Sequence, residues 1–201
     1  MNLLEHCTAE TLNQDLSWLH EPESWHFGDD GLRITPAANT DFFRPYGGAG
    51  HDNAALLYTE ITGDFTATAF ASARLSDFGD AAALTVRSDA SRWAKLCIER
   101  SPIGEVSIVS VVTNGASDDA NSELLSRPES YLRITRKGKV FGMHYSIDGS
   151  TWRFVRTFAM EVPEHLMVGI HAQSPFGSGC VARFTSFDVT DVPVADFRSG
   201  E

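Results

Sequence analysis

The sequence predicts an all-β fold: a sandwich of two antiparallel sheets, preceded by one short helix. Three observations predict it. Runs of apolar and polar residues alternate with a period of two, Gly, Asp, Asn, Ser and Pro interrupt them about every eight to twelve residues, and helical spacing is confined to the first residues. With 201 residues, 42% of them hydrophobic, the chain is long enough for one large sandwich. A single domain spanning residues 1–201 is expected, with its sandwich core at about 25–189.

In chain order, Thr8 is a plausible N-cap, Leu12, Leu16 and Leu19 recur near helical spacing, and Pro22 stops the run, so the helix should be short. From Trp25 onward about eleven strands are expected. In 82–87, Ala82, Leu84 and Val86 share one face. In 93–99, Ala94, Leu96 and Ile98 oppose Trp93, Lys95, Cys97 and Glu99. In 140–146, Phe141, Met143 and Tyr145 oppose Gly142, His144 and Ser146, and in 166–173, Val168, Ile170 and Ala172 oppose Gly169, His171 and Gln173. Each such strand should have one core face and one polar face. The run 106–113 is apolar on both faces and reads as a central strand covered on both sides. Lys137-Gly138 and Asp148-Gly149 are hairpin signals, because glycine tolerates the positive φ of tight hairpin turns. Segment 114–128 is polar and reads as the longest loop, and the residues after Pro193 read as a fraying tail.

A net charge of −11 opposes phosphate backbones and anionic lipid, so neither nucleic acid nor membrane is an expected partner. No apolar run approaches the ~20 residues a bilayer requires, and the chain reads as cytoplasmic. Three widely spaced cysteines, Cys7, Cys97 and Cys180, suggest neither a disulfide framework nor a paired metal site.

Seven ordered blocks carry a family resemblance. They are Thr40-Asp41-Phe42-Phe43, Asp52-Asn53-Ala54-Ala55-Leu56-Leu57-Tyr58, Gly63-Asp64-Phe65, Trp93-Ala94-Lys95-Leu96-Cys97-Ile98-Glu99, Ser117-Asp118-Asp119-Ala120-Asn121-Ser122, His144-Tyr145-Ser146 with Asp148-Gly149 and Trp152, and Ala172-Gln173-Ser174-Pro175. Over 25–189 the chain resembles the concanavalin A-like family named after a yeast regulator of enolase. The resemblance implies a jelly-roll sandwich with one concave sheet and no assigned reaction. Some glycoside hydrolases of that superfamily carry a Glu-x-Asp-x-(x)-Glu strand, and this chain departs from it: Glu60 is followed by Ile61-Thr62 and Glu99 by Arg100-Ser101.

Candidate ligand contacts come from the outward rows. Lys95 and Glu99 lie four apart on one strand face beside Trp93, offering a donor, an acceptor and an aromatic platform to a sugar ring. His144, His171 and Gln173 occupy the polar faces of their strands, where imidazoles can bind ligand or move protons. Asp118, Asp119 and Asn121 supply hard oxygens in the supposed loop, without the spacing of a calcium loop. Asp41 begins a second rim, since Gly47, Gly48 and Gly50 let the backbone fold closely over a cleft. Lys95, Glu99, His144, His171 and Gln173 are expected to line one continuous concave surface as exposed side chains. No catalytic residue, cofactor or metal is assigned. The expected role is non-catalytic binding of a carbohydrate or sugar-derived metabolite. The alternatives are a glycoside-active enzyme using cleft carboxylate or histidine acid–base chemistry, and a regulator that docks on a metabolic enzyme.

Overall fold

In the computed structural model, which describes residues 2–9 and 11–201, the alternating runs pair into two seven-stranded antiparallel sheets and one short hairpin. The strands are β1 (Ser17–Leu19), β2 (Ser24–Gly28), β3 (Gly31–Thr35), β4 (Phe42–Phe43), β5 (His51–Asp52), β6 (Ala55–Thr62), β7 (Phe65–Arg74) and β8 (Ala81–Asp89). They continue with β9 (Arg92–Arg100), β10 (Val106–Asn114), β11 (Ser117–Leu124), β12 (Glu129–Lys137), β13 (Val140–Ser146), β14 (Arg153–Ala159), β15 (His165–Gln173) and β16 (Val181–Thr190). The first sheet runs β1-β6-β15-β8-β9-β10-β11, the second β14-β13-β12-β7-β16-β3-β2, and β4 pairs with β5. Non-sequential neighbours such as β6-β15-β8 and β12-β7-β16 give the jelly-roll wrapping that the family resemblance implies.

The main core fills the space between the sheets. Ala67, Ala69 and Ala71 of β7 lie in one buried cluster with Leu84, Leu96, Ile98, Phe141 and Phe184, small residues making room for large ones. A second buried cluster covers the opposite face of the first sheet: Phe42, Leu56, Ala81, Ala83, Trp93, Cys97, Val109 and Val111. Strands β8 to β10 are therefore apolar on both faces, and segment 40–54 supplies the cover. The hairpin glycines Gly138 (φ 59°) and Gly149 (φ 76°) sit where the β12–β13 and β13–β14 turns need positive φ.

Several expectations need correction. Segment 11–16 forms no helix: the Asn13 side chain donates to the Leu3 carbonyl and its backbone nitrogen meets the Cys7 sulfur, while Leu4, Cys7 and Leu16 join the main core. Side-chain bonds of this kind compete with helix formation, and Leu19 ends in β1; Glu10 lies outside the described residues. Sixteen strands are described rather than eleven, because several are short. Segment 114–128 is mostly strand β11, its exposed polar residues marking a sheet edge rather than a loop. Strand β10 lies one position from that edge, covered on both faces but not central. The residues after Pro193 do not fray: Phe197 packs over Gly142, and Gly200 is buried. Among the described residues no helix is long and apolar enough to cross a membrane.

Candidate functional site

Register fixes which side chains share the outer face of the first sheet, because directly opposed residues in antiparallel strands point the same way. Across the sheet, Leu56, His171, Ala83, Cys97, Val109 and Asn121 form one row. The next row holds Tyr58, Gly169, Thr85, Lys95, Val111 and Asp119. A third aligns Gln173, Ala81, Glu99 and Ser107. Segment 40–54 folds over these rows and is tied down at several points. The Asp41 backbone nitrogen donates to Asn53 Oδ1 (3.0 Å), the Arg44 backbone nitrogen donates to Ser117 Oγ of β11 (2.9 Å) and the Ser117 nitrogen to the Arg44 carbonyl (2.8 Å), and Arg87 pairs with Asp52 at 2.7 Å. Phe42 is fully buried, 5.9 Å from the Trp93 ring and 5.3 Å edge-on to His171.

Beside Phe42 lies a polar cluster. Lys95 Nζ donates to Asp41 Oδ1 (2.9 Å) and to Gln173 Oε1 (2.6 Å), and Gln173 Nε2 donates to the Gly79 carbonyl (3.0 Å). A lysine can only donate, so Gln173 Oε1 is an acceptor and His171 Nε2, 3.1 Å from it, must carry a hydrogen. His171 Nδ1 is then free to accept from the Thr85 hydroxyl at 2.6 Å. Burial, reinforced by the Lys95 charge, pushes the His171 pKa down to about 3 and keeps the ring neutral. For Lys95, burial opposes the charge, but Asp41 and the other acidic groups nearby outweigh it and hold the ammonium above its ordinary range. Burial also pushes the Cys97 thiol well up, so it is no nucleophile at neutral pH.

Glu99 completes the cluster without a hydrogen bond from any described residue. Burial, opposed by Lys95 and reinforced by Asp41 and Asp119, pushes its carboxyl up to about 7. A pocket of about 310 Å³ opens here, with Asp41, Lys95, Glu99, Asp119, Asn121 and Gln173 on its polar side. Phe43, Phe78 and Phe176 line the apolar side. Phe78 and Phe176 stack at 4.9 Å with planes 7° apart and remain 43% and 69% exposed.

The structure thus brings together Asp41, Lys95, Glu99, Asp119, Asn121 and Gln173, with His171 directly behind Gln173. It separates the others. Trp93 is buried under Phe42 and is no open platform for a ligand. Asp118 points away from Asp119, as strand alternation requires, and faces Arg156 at 3.6 Å. His144 lies on β13 of the other sheet, so the expected continuous surface does not include it. Lys95, His171 and Gln173 are buried rather than exposed, because segment 40–54 covers their rows. Among the described residues no group of three or more His, Cys, Asp or Glu side chains is placed to hold a metal. The sequence reading missed Phe78 and Phe176, whose signal was an aromatic in each of two turn-rich runs, Ser76-Asp77-Phe78-Gly79-Asp80 and Ser174-Pro175-Phe176-Gly177.

Comparison with known proteins fits this architecture. A family model described as a protein of unknown function (DUF1349) matches residues 18–192. A functionally unknown protein from Saccharomyces cerevisiae is similar at 28% identity and a TM-score of 0.82, over 88% of this chain and 96% of that one. A GH43 protein from Bacillus licheniformis is similar at 18% identity and a TM-score of 0.74, over 95% of this chain but only 39% of its own. An alginate lyase from Klebsiella pneumoniae is similar at 11% identity and a TM-score of 0.58, over 83% of each chain. At such identities the last two show the fold alone. No curated protein matches the chain.

Proposed function

The chain belongs to the DUF1349 family of proteins of unknown function, and from that premise we propose that its pocket beside Lys95 and Glu99 binds a small, uncharged carbohydrate or sugar-derived metabolite. One observation carries the reading: about 310 Å³ of space lies between a hydrogen-bonding floor and a wall of phenylalanines. A sugar ring has that same division, hydroxyls at its edge and C–H groups on its face, and pockets of this size are at the small end of ligand sites. Three carboxyl groups, Asp41, Glu99 and Asp119, face one ammonium, which disfavours uronates and phosphosugars. Structural neighbours named for a GH43 glycoside hydrolase and an alginate lyase make a glycan a consistent ligand class.

The test is a thermal-shift and calorimetric screen of the purified chain against neutral mono- and disaccharides, since a ligand specific to the native state raises its stability by mass action. Binding by the natural chain that falls tenfold or more in Glu99→Gln or Asn121→Ala supports the reading. Failure of every neutral sugar to bind, or binding indifferent to both changes, overturns it.

One observation favours a catalytic variant of this reading. Glu99 carries a carboxyl near neutrality with no internal partner, the condition of a general acid. Hydrolysis of a bound oligosaccharide that Glu99→Gln abolishes while binding persists would establish it, and stable binding without turnover leaves the non-catalytic role.

A further inference from the structure

A second concavity lies on the outer face of the second sheet. It measures about 560 Å³, and its lining includes Arg33, Arg74, Arg183, Asp30 and His26. Register places these groups side by side: His26 opposes Arg33, Arg33 opposes Arg183, and Arg183 opposes Ser72. Two residues along β7 from Ser72, on the same face, stands Arg74. Three guanidiniums therefore converge from β3, β7 and β16 in a chain whose net charge is −11.

Like charges directly opposed across strands repel, and internal pairing relieves little of that here. Asp30 alone serves two arginines, in contact with Arg33 and 3.6 Å from Arg183. Arg183 Nε donates to Ser72 Oγ at 3.1 Å, while the other carboxylate on the lining, Glu129, faces Arg127 at 3.7 Å. The Arg74 backbone pairs with Val181, but its guanidinium has no hydrogen bond or ion pair with any described residue. Hydroxyls of Ser24, Thr35 and Ser72 border the same space. The arrangement offers an oxyanion several forked donors, with two carboxylates, Asp30 and Glu129, as internal competitors.

We infer that this groove binds a phosphate group, free or carried as a monoester on a small metabolite, and that Asp30 occupies the anion's place until the ligand displaces it. The inference is independent of the Lys95 pocket, which lies on the other sheet and repels anions.

Calorimetric titration of the full chain at low ionic strength, with inorganic phosphate, glycerol phosphate and glycerol, tests it. One-to-one binding of either phosphate and none of glycerol is expected. Tighter binding of glycerol phosphate would identify an esterified ligand, and tighter inorganic phosphate a free one. Arg74→Gln, an exposed change without structural consequence, should weaken binding tenfold or more, as should Arg183→Gln. Asp30→Asn should tighten binding severalfold, which a purely structural Asp30 would not do. Glu99→Gln should change nothing. Absence of saturable binding up to about 20 mM, binding indifferent to Arg74→Gln, or binding not improved by Asp30→Asn would overturn the assignment.

Discussion

Lys95 and Arg133 occupy comparable settings on opposite outer faces of the sandwich, yet only one of them faces open space. Each cation is buried near a histidine and a tryptophan, beneath a chain segment that folds back over its sheet. Over Lys95 the cover is 40–54, which brings Asp41 and leaves a pocket. Over Arg133 it is the C-terminal segment. The Gly200 carbonyl accepts from Arg133 at 2.7 Å, the Phe197 carbonyl lies 2.7 Å from His144 Nε2, and the Phe197 ring fills the space above Gly142. Arg133 stacks 3.9 Å over Trp152 and has no carboxylate partner among the described residues, and burial lowers its pKa to about 10. His171 uses both ring nitrogens, whereas His144 Nδ1 is buried without a partner. A buried cation with its own anion and vacant space beside it is equipped to meet a ligand. A buried cation clamped by a main-chain carbonyl, beside a space plugged by phenylalanine, serves to hold the chain together.

The largest expected effect breaks the charge pairing. Asp41→Ala leaves the buried Lys95 ammonium hydrogen-bonded to Gln173 alone, and unpairing a buried charge costs about 3–5 kcal/mol. For a chain of this length that is a fall in Tm of roughly 6–20 °C. Arg133→Met removes a cation that has no anion to strand among the described residues, so it should cost less, on the order of 1.5–3 kcal/mol for the lost charged hydrogen bond. Chemical denaturation of both variants decides the matter, and equal losses would erase the distinction drawn between the two faces.

The two faces should also differ in how pH acts on them. His171 is neutral when folded and pushed down to about 3, so the unfolded chain binds more protons below about 6.5 and stability falls with pH until about 3. Glu99, raised from 4.5 to about 7, works oppositely: the folded chain binds more protons in that window, and stability grows as pH falls through it. Between about 4.5 and 6.5 the two largely cancel on the Lys95 face. His144 is pushed down in the same sense as His171 and has no such carboxyl opposing it. Glu99→Gln should therefore steepen the acid loss of stability between pH 6.5 and 4.5 by up to about 1.4 kcal/mol per unit. Denaturation midpoints measured across pH 4 to 8 check this; identical slopes in both proteins would contradict it.

A smaller effect tests the plug. A Cβ added at Gly142 would stand 2.8 Å from the Phe197 ring, which must shift. Gly142→Ala should cost about 1–3 kcal/mol through overpacking and expose 194–201 to carboxypeptidase. Rapid trimming of the variant and slow trimming of the natural chain are expected. Equal resistance would mean that the segment is not held by this contact.

How far the sequence revealed these faces depended on what covered them. Alternation in 93–99 correctly separated Ala94, Leu96 and Ile98 from Trp93, Lys95, Cys97 and Glu99, but it could not show that Phe42 would lie on Trp93. A period of two reports which side of a sheet a residue takes, not what covers that side. His144 and His171 looked equivalent for that reason, each on the polar face of its strand, and only the strand order puts them on opposite sides of the molecule. The C-terminal segment was misread because two of its anchors are main-chain carbonyls, which leave no trace in residue type. Asp41, Lys95 and Gln173 were legible individually, but their meeting depends on contacts 54 and 78 residues apart in the chain.

The smallest effect on stability should accompany a large effect on binding, at the phenylalanine pair. Phe78 and Phe176 stack on each other at the pocket wall and belong to neither buried cluster, so truncating one strips little from the core. Their exposure, 43% and 69%, also means that a large part of their surface meets water in the folded state, as it would unfolded. Phe78→Ser should therefore change the free energy of unfolding by no more than about 0.5–1 kcal/mol, within the range of surface substitutions and the stacking energy of one aromatic pair. The same change removes one of the three phenylalanines of the apolar wall on which a sugar face would rest and should weaken binding about tenfold. Phe197→Ser makes the opposite case, since that ring is half-buried over Gly142 and touches no part of the Lys95 pocket. It should lower stability and leave sugar affinity untouched. Calorimetry and denaturation on this pair of variants separate a phenylalanine kept for a ligand from one kept for the fold, and the assignment fails if Phe78→Ser loses stability but not affinity.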